Sequence, residues 1–294
     1  MPEEFSPTVA RRHVRLALRD ARERAGLTQP QVAEAMEWSV SKVIRIETGD
    51  VSIAPNDLRP LLSFLEVRDR DTVAELIAIA KIARSRRRTE WYHAPEFREH
   101  LSDAILRLIE YESEAVEIRY YQVYFMPGPL QVPAYARANL DSFGDDVPAT
   151  TRRVRADARE RRRQTMLSRL GRGLTAYALL DESVFLRPIG GTEVFREQLR
   201  FLSELAADGR LRMRMVPFKF DAAVTNNATF DLLTLSSEGR GEVLYRESGL
   251  HDEIVEDQSV ARHRRRFDKI WDAAVPEDDT LDYLRSRLTD LTGW

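Results

Sequence analysis

The chain of 294 residues contains no cysteine. Disulfides, thiol catalysis and thiolate metal sites are therefore excluded, as fits a protein of the reducing cytoplasm. No apolar run approaches the ~18–20 residues that span a bilayer, so no membrane segment is expected. The opening MPEEFSPTVARRH has neither an apolar core nor a cleavage pattern and does not read as a signal peptide. Histidine is scarce: His13, His93, His100, His251 and His263 make no metal-ligand spacing such as HExxH. GxxxxGK[ST] is missing, and the GRG triplets at 171–173 and 239–241 lack the third glycine of a dinucleotide loop. Asp181 and Glu182 are adjacent, but neighbours on a strand face opposite ways and do not make an acid–base pair. No catalytic residue, metal or cofactor is expected. Excess positive charge is also lacking: the net charge is −3 and the pI about 6.1, so a uniformly basic nucleic-acid binder is excluded.

The composition is otherwise that of a folded chain, 43% hydrophobic and 32% charged, and the length suggests about two domains. Charge is distributed in blocks. Basic runs lie at 11–24, 84–88, 152–163 and 262–266; acidic ones follow at 252–257 and 277–282. Local patches rather than the total decide whether nucleic acid binds.

In the first 66 residues helical signals follow one another closely. Val14, Leu18 and Ala21 recur at helical spacing and Gly26 ends that helix. Thr28 and Gln31 form a capping box, with Pro30 tolerable in a first turn. Val32, Ala33 and Met36 give the second helix a buried face. Ser39 caps a third helix that Gly49 stops, and further helices are expected from SIAPNDLRPLLSFLEV and from Asp69 to Arg88. Two short helices across a tight turn inside a bundle make a helix-turn-helix.

LTQPQVAEAMEWSVSKVIRIETG resembles the λ-repressor/Cro-type (XRE) helix-turn-helix family, matching at Leu27, Thr28, Gln29, Val32, Ala33, Ser39, Val43, Ile46, Glu47 and Gly49. The resemblance implies double-stranded DNA as a partner. Gln29 would touch a phosphate or brace the third helix. Ser39 caps that helix, and Val40, Ser41, Lys42, Ile44 and Arg45 are its DNA-facing candidates. Arg45 suits guanine O6/N7, and Val40 and Ile44, one turn apart, suit thymine methyls. An alternative for Ile44 is packing on the fourth helix or a dimer mate. Glu47 would pair with Arg22 and be structural; Val43 and Ile46 belong to the core, and Trp38 to the turn.

Beyond residue 98 the pattern changes to α+β. LSDAILRLIEYESEAVEIRYYQ reads as one long amphipathic helix, Pro127, Gly128, Pro129 and Pro133 interrupt regular structure, and a basic helix spans 149–169. LTAYALLDESVFL reads as a strand or hairpin, and LRMRMVPF, NATFDLLTL and GEVLYRES as strands. Helices are expected at 192–207, 256–274 and 280–291. The run Arg152–Arg163 is either a second DNA-facing or partner-facing patch or a solvated face whose arginines pair with acidic stretches elsewhere.

PGPLQVPAYARA, the spacing of Arg159, Arg163 and Gln164, LLDESVFLRPIGGTEVFREQL and MRMVPF resemble a domain of unknown function found in actinobacterial, antitoxin-like regulators. Arg163 and Gln164 fall in that family motif, so the structural reading of the 152–163 run is preferred. The chain departs from the family at PGPLQV and at FDAAVTNNATF, both loops. The expected organisation is a multi-domain chain. An all-α helix-turn-helix bundle occupies 1–68, a connecting helix and linker 69–98, and an α+β domain with a small, largely antiparallel sheet 99–294. The expected function is a cytoplasmic, sequence-specific transcriptional regulator, a homodimer on a pseudo-palindromic operator. Its second domain would bind a small partner protein encoded nearby, or a small-molecule effector. Met126, Pro127, Leu130, Gln131, Tyr135, Asn226 and Asn227 are the candidates for that contact.

Overall fold

The computed structural model describes residues 7–84, 90–220, 229–235, 241–247 and 252–291. The chain divides into two compact units, Met1–Glu90 and Trp91–Trp294. Among the described residues no helix is long and apolar enough to cross a membrane.

The first unit is a five-helix bundle: α1 (Pro7–Arg24), α2 (Gln29–Ala35), α3 (Val40–Thr48), α4 (Pro55–Phe64) and α5 (Arg70–Ala83). The expected stripe of α1 is buried at Ala10, Val14, Leu18 and Ala21. It packs with Val32, Val43, Ile46, Leu58 and Leu62 in one core. Fully burying a leucine such as Leu58 or Leu62 stabilises by roughly 1.5–3 kcal/mol. Leu76, Ile77, Ile79, Ala80 and Ala83 of α5 join the same core. The helix expected to serve as a connector is thus part of the bundle, because its apolar side is needed to close it.

Turn chemistry sets the angles between the short helices. The Thr28–Gln31 capping box is formed, with Thr28 N–H donating to Gln31 Oε1 at 2.8 Å. After α2 the backbone passes through Glu37 at φ +55°, and Trp38 N–H donates back to Ala33 O at 2.8 Å, a Schellman-type closure. Ser39 Oγ then accepts from Lys42 N–H at 3.2 Å and starts α3. Gly49 ends it at φ +88°, where an added Cβ would also lie 2.9 Å from Arg15 Cδ and Nε.

The second unit contains α6 (Pro95–His100), α7 (Asp103–Glu114), β1 (Glu117–Gln122), α8 (Pro133–Asp141), α9 (Ala149–Arg169), β2 (Thr175–Asp181) and α10 (Gly191–Ala207). These are followed by β3 (Leu211–Val216), β4 (Phe230–Thr234), β5 (Glu242–Glu247), β6 (Asp252–Val255), α11 (Ser259–Ala273) and α12 (Glu277–Asp290). The strands form one sheet in the order β3-β2-β1-β4-β5-β6. β1–β2 and β2–β3 are parallel and the three other pairs antiparallel. The α+β class and mostly antiparallel sheet agree with the sequence pattern.

Two assignments need correction. The long helix expected through YYQ stops at Glu114: Ala115 is extended (φ −61°, ψ 137°), and EIRYYQ becomes β1, near the middle of the sheet. Asp252–Val255 is the edge strand β6, so the following helix starts at Ser259 rather than Glu256. On one sheet face Tyr121, Phe230, Leu232 and Leu244 pack on Phe267, Ile270 and Trp271 of α11. The other face carries Tyr120, whose hydroxyl lies 3.6 Å from Met166 Sδ of α9. At the β3 edge Met215 bridges Val275 and its N–H donates to Thr280 Oγ1 at 3.1 Å.

Candidate nucleic-acid interface and the interior of the second unit

On α3 the 3.6-residue period separates two faces. Val43 and Ile46 are buried in the bundle, whereas Val40, Ser41, Ile44 and Arg45 are exposed. Val40 and Ile44 are each 40% exposed, so part of each side chain is open to solvent. Among the described residues Arg45 makes only a long side-chain hydrogen bond, Nε to Ser41 O at 3.4 Å. Ser39 is spent on the cap.

Behind this face Glu47 accepts three hydrogen bonds. Arg22 donates through Nε at 2.7 Å and Nη2 at 3.0 Å, and Gln29 Nε2 donates at 2.9 Å. Arg22 also donates Nη1 to Leu27 O at 2.9 Å. Donation to the Glu47 carboxylate, which outweighs burial, raises the Arg22 pKa above its ordinary value. Gln29 therefore braces the third helix. A bare carboxylate facing phosphate would repel it; here it is covered by two donors.

Lys42 is placed differently from expectation. Its ammonium contacts Asp57 Oδ2 at 3.0 Å and sits 3.7 Å from the Trp38 ring centroid. It fastens α3 to α4 and the turn instead of facing outward with Arg45. The carboxylate 15 positions downstream carries no local signal that would have revealed this.

In the second unit Met126, Pro127, Leu130, Gln131 and Tyr135 are all buried. Gln131 Nε2 donates to Met126 O at 2.8 Å. Gln198, fully buried, donates to Leu130 O at 2.8 Å and accepts from Val132 N–H at 2.7 Å. These residues fix the path of the loop; Asn226 and Asn227 lie outside the described residues. The exposed apolar groups nearby are Tyr124, Phe125, Leu186 and Phe218. Arg187 Nη1 donates to Tyr124 O at 2.9 Å and Phe218 N–H to Glu182 Oε2 at 2.8 Å. Those two bonds gather the segments just past the carboxyl ends of the parallel strands β1, β2 and β3, where ligands of open sheets bind.

Between the sheet and α7 and α9 lies a polar interior. Register aligns Tyr120, Asp231 and Tyr245 across β1, β4 and β5. Glu112 and Arg162 form a bidentate pair with both contacts at 2.8 Å, and Gln122 Nε2 donates to Asp231 Oδ1 at 3.0 Å. Burial, then the Glu112 charge, push the Asp231 carboxyl up to about 8. Sequence spacing could not find this cluster, since its members come from five elements. Among the described residues no group of three or more His, Asp or Glu side chains is placed to hold a metal.

The first unit matches the family model of the helix-turn-helix domain over residues 14–76. Residues 105–286 match the domain of unknown function DUF5753. That match covers more than half of the chain, which therefore belongs to the DUF5753 family, with a helix-turn-helix DNA-binding domain ahead of it. No curated protein and no solved structure matches the chain.

Proposed function

We propose that this protein is a sequence-specific transcriptional regulator of the λ-repressor/Cro type, working in the cytoplasm by binding and not by catalysis. The observation that carries the reading is the exposed α3 face of Val40, Ser41, Ile44 and Arg45, backed by a Glu47 that is ion-paired with Arg22 and hydrogen-bonded by Gln29. A single helix reads only a few base pairs. The functional unit is therefore a homodimer on a pseudo-palindromic operator, with half-sites about 10–10.5 bp apart or a multiple of that. Selection of sites from a random duplex pool with the full-length chain tests this. A two-fold symmetric consensus bound by a dimer is expected. Recovery of no consensus, or a single half-site bound by a monomer, refutes it.

A second reading, with an antitoxin-like protein partner for the C-terminal domain, is favoured by the exposed Tyr124, Phe125, Leu186 and Phe218. Exposed apolar groups gathered in one place suit a protein surface better than a small ligand. Co-purification of the product of a neighbouring gene with the wild-type chain, but not with Tyr124→Ser/Phe218→Ser, is the expected outcome.

A further inference from the structure

α9 carries eight arginines, and partners account for most of these cations. Arg162 is paired with Glu112, Arg161 with Asp157 and Arg163 with Glu160. Arg152 reaches Asp141 and the Val147 carbonyl, Arg155 the His100 carbonyl, and Arg169 the carbonyls of Glu112 and Ala115. Arg155 makes only that one long bond to His100, at 3.4 Å. Arg153 has no hydrogen bond or ion pair among the described residues, and Arg159 has only a bond as long as that of Arg155, Nη1 to Gln131 Oε1 at 3.4 Å.

Arg153 and Arg159 line a groove of about 280 Å³ between α8 and α9, together with Arg137 of α8. Arg137 is likewise without an ion-pair partner among the described residues. The two acids on the groove wall do not neutralise them: Asp157 is held by Arg161 at 3.0 Å, and Glu160 by Arg163 at 3.2 Å and Gln164 at 2.8 Å. Gln131 is fixed by Met126 O and offers Arg159 a neutral oxygen only. Enough protein surrounds Arg159 that burial, with the Arg162 charge next, lowers its pKa to about 10; the charge of Glu247 at the end of β5 acts the other way without offsetting them. A cation in that setting is costly unless a counter-charge is supplied.

We propose that this groove is a binding site for a small organic oxyanion, a phosphate monoester or a carboxylate, gripped by Arg137, Arg153 and Arg159. Guanidinium forks match both headgroups bidentately. The volume is near the lower end of ligand pockets, roughly 300 Å³, and so suits a small molecule. The inference is independent of the DNA reading, because binding is measured without DNA.

The test is thermal unfolding and calorimetric titration of the full-length chain with inorganic phosphate and, separately, with malonate, against sodium chloride at equal ionic strength. A saturable rise in Tm with at least one of the two anions is expected, and the tighter of them identifies the headgroup. Loss of a charged hydrogen-bond donor should weaken binding about tenfold or more in Arg159→Gln. In Arg137→Gln, an exposed change that leaves the unliganded Tm in place, several-fold weakening decides the matter even if the Arg159 variant does not fold. A response no larger than that of chloride overturns the proposal. So does binding of equal strength in Arg137→Gln, Arg153→Gln and wild type. Loss of operator affinity in these variants without any phosphate or malonate binding would assign the arginines to the DNA backbone, and also overturns it.

Discussion

Arg22 on α1 and Glu47 at the end of α3 are joined by two hydrogen bonds, 2.7 and 3.0 Å long, with both side chains largely withdrawn from solvent. The pair couples the first helix to the third, the one proposed to read DNA. Removing one member leaves the other charge poorly solvated, which costs about 3–5 kcal/mol when such a pair is broken. Glu47→Ala should therefore unlock α3. Amide hydrogen exchange in α1 and α3 of the full-length chain is expected to accelerate there and not in the second unit; uniform exchange would sink the assignment.

Specificity should divide between neighbours on α3. Arg45→Ala is expected to lose about 1–3 kcal/mol of discrimination at one guanine, and Ile44→Ala to relax preference at adjacent thymines without abolishing binding. Lys42→Ala, by contrast, should lower stability through loss of its contacts with Asp57 and Trp38 and leave the base preference unchanged. Competition binding against single-base operator variants reads all three. If Ile44→Ala altered only self-association, its role would be packing against a second copy.

Glu37 and Glu66 hold left-handed backbone at φ +55° and +58°. L-residues pay about 1–2 kcal/mol for that region, partly offset in a glycine variant by the greater freedom of the unfolded chain. Glu37→Gly and Glu66→Gly are each expected to stabilise the first unit by about 0.5–1 kcal/mol, seen as a higher denaturant midpoint. A lower midpoint would mean that the glutamate side chains contribute more than the backbone costs.

Asp231 gives the second unit a pH dependence. Burial raises its carboxyl to about 8 in the folded chain, whereas the unfolded carboxyl titrates near ~3.9. The stability it permits is fully present below the unfolded value and is lost progressively as pH rises toward 8. Asp231→Asn cannot ionise and keeps an oxygen for Gln122. It should exceed wild type in stability by about 1 kcal/mol or more near pH 8, with the difference closing toward pH 4. Tm measured across that range checks the sign; a constant difference would exclude titration of this carboxyl.

Much of the first unit was legible because its signals are local: a capping box within four residues, a serine cap, a glycine stop. α9 was equally plain from its unbroken helix-forming run, and its bounds, Ala149–Arg169, match the expected 149–169. β1 was hidden for a physical reason. Ile118, Tyr120 and Tyr121 are buried between layers on both sides of the sheet, so the strand lacks the alternation of a half-exposed one and its apolar residues simply continue the stripe of α7. No glycine or proline marks the break, which falls at Ala115. The engagement of Lys42 and the sorting of the α9 arginines into paired and unpaired ones depend on residues distant in sequence. Periodicity carries no information about them.

The placement of β1 has a consequence for how the chain is made. β1 emerges from the ribosome early, yet its antiparallel neighbour β4 begins at Phe230, more than a hundred residues after Gln122. At about 5–20 residues per second, Tyr120 and Tyr121 wait roughly 5–20 s for the strand that covers that side. The five-helix bundle, built from near-neighbour contacts, is complete before then. A nascent chain would thus present a finished helix-turn-helix unit while its sheet is still open.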